Sequence, residues 1–304
     1  MTSRHGPTSL AAQSIAIDQS VSSASTSLAQ DTAYIMMKSA QPQQETPIPG
    51  WTGFNINISQ PLPVSVIHYL PVIEASPTDL STVNHILSDA VTHADRLECD
   101  SVMVVFDQAI YSKVQQIRWA NKAIEQRLVP RLGEFHTVMC FLSAIGKRFK
   151  LAGLEDVLIE SNVVAPGSMN GVLSGHMYNR SIRAHKILFE ALSRMQFTQF
   201  LSNLDDDAKA RHDAQISELI RCYHNAEEVN TDSISDLQKL FAEYVEQQCK
   251  SNPLFAYWTS YLNMITILLA FIRATRTSNW ALHLASLRMM LPWMFAYDRT
   301  NYAR

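Results

Sequence analysis

The chain has 304 residues and a mass of 34.2 kDa, which accommodates two average domains or one domain with appended segments. Hydrophobic residues make up 47% of the sequence, a content that excludes a wholly disordered protein. The formal net charge of −3 excludes a globally basic surface that would attract nucleic acid or an anionic membrane.

The first 48 residues are rich in Ser, Thr and Gln and contain few large apolar side chains. This composition predicts a disordered leader over residues 1–48. The N-terminus has no apolar run of signal-peptide length, and the four cysteines include no CxxC pair. These features favour free thiols in a reducing intracellular compartment, nuclear or cytoplasmic.

Residues 49–152 alternate strand-like and helix-like segments after an aromatic-anchored loop predicted for GWTGF at 50–54. Strands are predicted for the β-branched and aromatic residues 64–73, for the apolar run 101–106 and for residues 128–132. This β-α-β-α-β order predicts a small parallel core. The helices are predicted over residues 76–97, 110–125 and 137–149.

Residues 153–304 are predicted to form a large helical region, so that the chain is a mainly helical α/β protein. Residues 253–272 carry no charge and could span a bilayer. Because Thr, Ser and Asn interrupt this stretch, we expect a buried helix of a bundle rather than a membrane span. The helices are predicted over residues 177–202, 206–225, 232–249, 253–274 and 279–291.

A candidate site lies where the predicted strands end. The strands end at Glu74, at Asp107 and at the group from Glu134 to His136, and Asp79 follows the first of them closely. Ligands of open parallel sheets bind beyond the carboxyl ends of the strands. Oxygen ligands there would suit Mg²⁺ or Mn²⁺. Glu74, Asp79, Asp107 and His136 are therefore candidate metal ligands, with Asp107 and His136 as candidate catalytic residues.

The same residues have a purely structural interpretation. An Asp that follows a strand often caps the next helix, and Asp107 precedes a helix predicted from Ile110. Glu134 and His136 could in the same way cap and line the start of the helix after them. The spacing of these residues leaves both interpretations open.

Basic residues recur at helical spacing in YNRSIRAHK, beside Tyr178. Arg180, Arg183 and Lys186, together with His185, predict a stripe that could contact the phosphates of nucleic acid. A solvated helix face is the alternative interpretation of the same pattern. A smaller second patch comprises Arg273, Arg276 and Trp280.

Several segments together resemble a known family, in the order PIPGWTGFN, VVFDQAIYSK, RLGEFHTVMCFLSAIGKRF, GLEDVLIES, YNRSIRAHKILFEAL, LLAFIRATRTSNWALHL and AYDRTNYAR. They resemble an uncharacterised animal family that is abundant in aquatic invertebrate and fish genomes and is linked to mobile elements. The FDQ and FH motifs are also remotely similar to a fungal mobile-element family. That similarity implies a metal-dependent nuclease or transposase-like core related to ribonuclease H folds, with Asp107 and His136 at the matching positions.

The chain departs from the animal family in three places. It has Gly133-Glu134 where the family usually shows Gly-Gly, Thr275 where related sequences show an acid, and an end at Arg304 where members continue. We therefore expect a cut piece with weak or absent activity and nucleic acid as the ancestral partner. The apolar C-terminal helices would be covered by the missing C-terminal segment or by a protein partner. A non-enzymatic helical interaction module is the alternative.

Overall fold

The computed structural model of the protein describes residues 10–40 and 47–299. The remainder of the predicted leader and the predicted cut end at Arg304 lie outside the described residues. The helices are α1 (Leu10–Ala40), α2 (Trp51–Ile58), α3 (Leu80–Arg96), α4 (Gln108–Ala120), α5 (Lys122–Arg127), α6 (Glu134–Phe149), α7 (Glu155–Glu160), α8 (Met169–Leu173), α9 (Tyr178–Ser202), α10 (Asp206–His224), α11 (Ser235–Ser251), α12 (Pro253–Arg276) and α13 (Trp280–Ala296). The strands are β1 (Val102–Phe106) and β2 (Leu128–Leu132).

The two strands form a small parallel sheet, in which Val102 pairs with Leu128 and Phe106 with Leu132. Helices α3, α4 and α5 pack against this sheet. The prediction of a mainly helical α/β fold with a small parallel core is confirmed. A small core of its own holds this part together, formed by Val83, Leu87, Val114, Ile117, Ile124 and Leu128.

The strand predicted for residues 64–73 is the exception. This segment has no regular structure, and its apolar side chains are exposed, with Val64 at 95% and Tyr69 at 94%. The described sheet therefore has two strands instead of three. Strand-type composition forms a strand only where a neighbouring edge satisfies its backbone groups. Prolines at 61, 63 and 71 remove donors at both ends of the segment and oppose such pairing.

Residues 10–40 of the predicted disordered leader form α1 instead. The end of this helix is apolar, and Tyr34, Met36 and Met37 are completely buried. Their helix packs against α9, α10 and α13. The Ser-rich composition of residues 1–48 obscured this short apolar run, whose burial supplies the free energy that orders the segment.

Helix α12 runs through the main core and confirms the helix predicted from residue 253. Asn252 caps it by accepting hydrogen bonds from the backbone N–H groups of Leu254 and Phe255, and Pro253 occupies the first turn. Among the described helices, α12 alone is long and apolar enough to span a bilayer. More than half of its most apolar stretch is buried against other helices, as in the core helix of a soluble protein.

The predicted boundary at residue 152 does not separate two cores. Helices α2 and α6 both contribute to the large helical core, through Trp51 and Phe54 and through Phe141 and Phe149. The GWTGF segment, which was predicted to be a loop, forms the start of α2. Trp51 and Phe54 are three residues apart and therefore share the buried face of that helix.

Candidate functional site

The carboxyl ends of the two strands bring part of the predicted site together. Phe106 and Leu132 are paired at the end of the sheet, and the backbone N–H of Gly133 donates to the carbonyl of Phe106 at 2.8 Å. Asp107 follows the first strand and His136 lies in the first turn of α6, which follows the second. Both residues therefore lie at one edge of the sheet, as the strand order predicted.

Asp107 caps α4. Its Oδ1 atom accepts a hydrogen bond from the backbone N–H of Ile110 at 3.0 Å. The capping interpretation of this residue is confirmed. Among the described residues, no hydrogen bond reaches its second carboxylate oxygen.

Glu134 is held by a neighbouring cation. Arg131 at the end of β2 donates to its Oε1 atom at 2.5 Å and lies 3.2 Å from the Nε2 atom of His283. The same guanidinium stacks over the Trp280 ring at 4.6 Å. Glu134 is therefore compensated in charge, whereas His136 beside it is exposed.

The other two predicted metal ligands are not part of a cluster. Glu74 lies in the exposed segment before α3, and Asp79 precedes α3 without a side-chain capping bond. Within residues 10–40 and 47–299, no three His, Cys, Asp or Glu side chains converge closely enough to hold a metal ion. The described side chains do not form the four-ligand site, and metal binding by Asp107 and His136 stays a prediction.

A cavity of about 480 Å³ opens between α2, α9 and α12. Arg183 and Lys186 line it from one face of α9, and Arg276 reaches it from the last turn of α12. None of these three cations forms an ion pair with a described carboxylate. We call this space the basic cavity. Its other lining residues include Gly50, Trp51, Thr52, Gly53, Tyr178 and Glu190.

Lys186 is fixed in the wall of the basic cavity. Its Nζ atom donates to Thr52 Oγ1 at 2.6 Å and lies 4.5 Å from the centre of the Trp51 ring. Burial, together with the positive charge of Arg276, lowers the pKa of Lys186 to about 8. Lys186 and Arg276 therefore repel each other, and a bound anion would reduce this repulsion.

The N-terminal end of α2 borders the same cavity. Gly50 precedes the helix at the capping position, and its lack of a side chain leaves the first turn without a side-chain cap. The N–H groups of the first turn have no partner within a helix, and the helix dipole makes this end positive. Residues 50–53 line the cavity beside the three cations, and the N–H of Trp51 is engaged by the Tyr34 hydroxyl.

The carboxylate of Glu190 also lines the basic cavity, but it is engaged by other groups. Tyr34 donates its hydroxyl to Glu190, and Lys38 and Arg194 lie 3.3 and 3.5 Å from it. Burial of Tyr34 and its hydrogen bond to Glu190 raise the pKa of Tyr34, so its hydroxyl keeps the proton. Lys38 and Arg194 thus neutralise the charge of Glu190, so Glu190 does not cancel the positive charge of the cavity.

The predicted basic stripe is divided by the fold. Arg183 and Lys186 share a face of α9 and line the cavity, whereas Arg180 donates to Ser168 Oγ at 2.9 Å outside it. His185 is buried, with its Nδ1 atom 2.7 Å from the Tyr261 hydroxyl. Burial lowers the pKa of His185 to about 4, so it is neutral and does not belong to a cationic surface.

The predicted second patch is also divided. Arg276 joins the basic cavity, Trp280 stacks on Arg131, and Arg273 is buried. Arg273 and Arg276 are three residues apart on α12, but Arg273 pairs with Asp31 in the core, Arg276 is exposed in the last turn, and Trp280 begins α13. No local signal links Arg276 to Arg183, because their placement at one cavity depends on how α9 and α12 pack.

An aromatic contact joins the basic cavity to the edge of the sheet. Tyr178 lines the cavity, and its ring lies 4.7 Å from the ring of Phe135, which in turn meets the His136 ring edge-on at 5.3 Å. Burial raises the pKa of Tyr178. The cavity and the strand ends therefore form neighbouring parts of one surface.

Comparisons with known proteins identify the family. No curated protein and no solved structure shows significant similarity to the chain. A family model covers residues 50–304, so that it includes the basic cavity and both strands. The chain belongs to the family described as Domain of unknown function (DUF8702).

Proposed function

We propose that this protein binds nucleic acid and that the basic cavity holds one of its phosphate groups. The observation that carries the proposal is the convergence of Arg183, Lys186 and Arg276 on one space without a carboxylate partner. Because the net charge is −3, attraction of a polyanion must come from such a local concentration of charge. Arg guanidinium groups and helix N-termini are common phosphate ligands.

The mobile-element origin belongs to the same proposal. It is supported by the order of the motifs from PIPGWTGFN to AYDRTNYAR, which resembles the animal family described above. Proteins of mobile elements act on nucleic acid, so a phosphate-binding cavity agrees with that origin.

The test is binding of a fluorescent DNA oligonucleotide, followed by fluorescence anisotropy. The triple variant Arg183→Gln, Lys186→Gln, Arg276→Gln should bind at least about tenfold more weakly, because the phosphate loses its cationic partners. Circular dichroism spectra would verify that the variant is folded.

A matched control removes the same charge elsewhere. The triple variant Arg180→Gln, Lys239→Gln, Lys250→Gln changes exposed residues outside the cavity and should bind nearly as well as the parent protein. Equal losses in the two triple variants would mean that general charge, and not the cavity, attracts DNA. Absence of binding by the parent protein would refute the proposal.

Mg²⁺- or Mn²⁺-dependent cleavage of the bound strand is the second candidate function. One observation favours it, because Asp107 and His136 lie at the sheet edge that Phe135 and Tyr178 join to the basic cavity. Two side chains are fewer ligands than dedicated metal sites use, so we expect weak or no cleavage. If cleavage occurs, Asp107→Asn should abolish it, and equal cleavage by both proteins would exclude this site.

A further inference from the structure

We infer that the basic cavity recognises a terminal phosphate of a nucleic acid, a phosphomonoester at a strand end, in preference to an internal phosphodiester. This inference rests on the proposed nucleic-acid binding and specifies which phosphate the cavity takes.

The charge of the cavity fits a dianion better than a monoanion. Three cations face the space, and the single carboxylate among the lining residues, Glu190, is engaged by Lys38 and Arg194. An internal phosphodiester carries one negative charge, whereas a phosphomonoester carries about −1.5 to −2 at neutral pH. The terminal group therefore compensates more of the mutual repulsion between Lys186 and Arg276.

The number of donors leads to the same preference. Lys186 Nζ and the guanidinium groups of Arg183 and Arg276 are the cationic donors that line the cavity. A phosphodiester offers two unesterified oxygens to these donors, but a phosphomonoester offers three. The third oxygen uses donors that an internal phosphate would leave without a partner.

The surface beside the cavity offers a contact for the base at a chain end. Phe135 lies beside Tyr178 at the rim and is 51% exposed, so a terminal base has an aromatic surface on which to stack.

The experiment compares oligonucleotides of one sequence that end in a 5′-phosphate, a 3′-phosphate or hydroxyl groups only. We expect one of the two phosphorylated forms to bind at least about tenfold more tightly than the hydroxyl form. Inorganic phosphate should compete with it, whereas dimethyl phosphate, a diester of the same size class, should compete poorly.

The variants distinguish recognition of the terminal phosphate from binding of the remainder of the strand. The triple variant Arg183→Gln, Lys186→Gln, Arg276→Gln should bind phosphorylated and hydroxyl oligonucleotides equally, whereas Arg180→Gln should keep the preference. Equal affinity of the parent protein for all three oligonucleotides would overturn this inference and leave nucleic-acid binding intact. Failure of every oligonucleotide to bind would overturn the inference and the proposed function together.

Discussion

Replacement of Arg273 by Met is expected to lower the free energy of unfolding by about 3–5 kcal/mol, because it leaves a buried carboxylate without its cation. Arg273 is 5% exposed and donates to Asp31, which is 2% exposed, at 2.5 Å. Its other N–H groups donate to Asn55 Oδ1 at 2.7 Å and to the backbone carbonyl of Ser27 at 2.8 Å. Urea denaturation followed by circular dichroism measures the effect.

Two further variants test the reason for that loss. The double variant Asp31→Leu, Arg273→Met removes both charges and should be more stable than Arg273→Met alone, since no unpaired charge remains buried. Arg221→Met breaks exposed ion pairs on α10 and should scarcely change stability. If Arg273→Met were as stable as Arg221→Met, the buried pair would not hold α1, α2 and α12 together.

The buried ion pair also supports the candidate site. Trp51 donates its Nε1–H to Asp31 at 2.7 Å, and Lys186 Nζ and Arg273 Cζ lie 4.5 and 5.3 Å from the centre of its ring. Helix α1 contributes Asp31 although the family model begins at residue 50. The orientation of the cavity wall thus depends on a segment outside the matched region.

The helices after residue 177 could be predicted because their signals are local. Asn252 with Pro253 marks the start of α12, and Asp205 caps α10 through the backbone N–H of Ala208 at 2.7 Å. Apolar residues recur at helical spacing between such caps. The strand of residues 102–106 was equally clear, because a continuous apolar run followed by Asp107 leaves few other interpretations.

The predictions of secondary structure failed for segments whose structure depends on partners that are distant in the sequence. Residues 64–73 have the composition of a strand, but β1 and β2 pair without them. Residues 10–40 have a leader-like composition, yet Tyr34 is buried and is fixed by Glu190, 156 positions away. Composition reports the average preference of a segment, whereas its burial is decided by helices that local sequence does not specify.

The candidate site could be predicted only where strand order or helical spacing places residues together. Asp107 and His136 follow adjacent parallel strands, so their common edge follows from topology. Arg183 and Lys186 are three residues apart on one helix and share a face for the same kind of reason. Arg276 and the start of α2 reach these residues only through tertiary packing, which left the cavity hidden in the sequence.

The contact between α6 and α8 leads to the second large effect, expected for Gly146→Ala. A methyl group on Gly146 would lie 2.0 Å from the backbone carbonyl oxygen of Leu173, which rigid neighbouring helices cannot accommodate. We expect the free energy of unfolding to fall by about 3 kcal/mol, the upper range for overpacked sites. Urea denaturation of the variant beside the parent protein measures this change.

Gly167→Ala is the matched control, since a methyl group there meets no atom within 4 Å and should change stability by less than about 0.5 kcal/mol. Helix α6 carries Phe135 and α8 leads into α9 with Tyr178, so a displacement of α6 from α8 would also change the distance between these rings. Gly146→Ala should therefore also weaken oligonucleotide binding under conditions in which it remains folded. A folded variant with unchanged stability and unchanged binding would mean that the two helices can separate without moving the basic cavity.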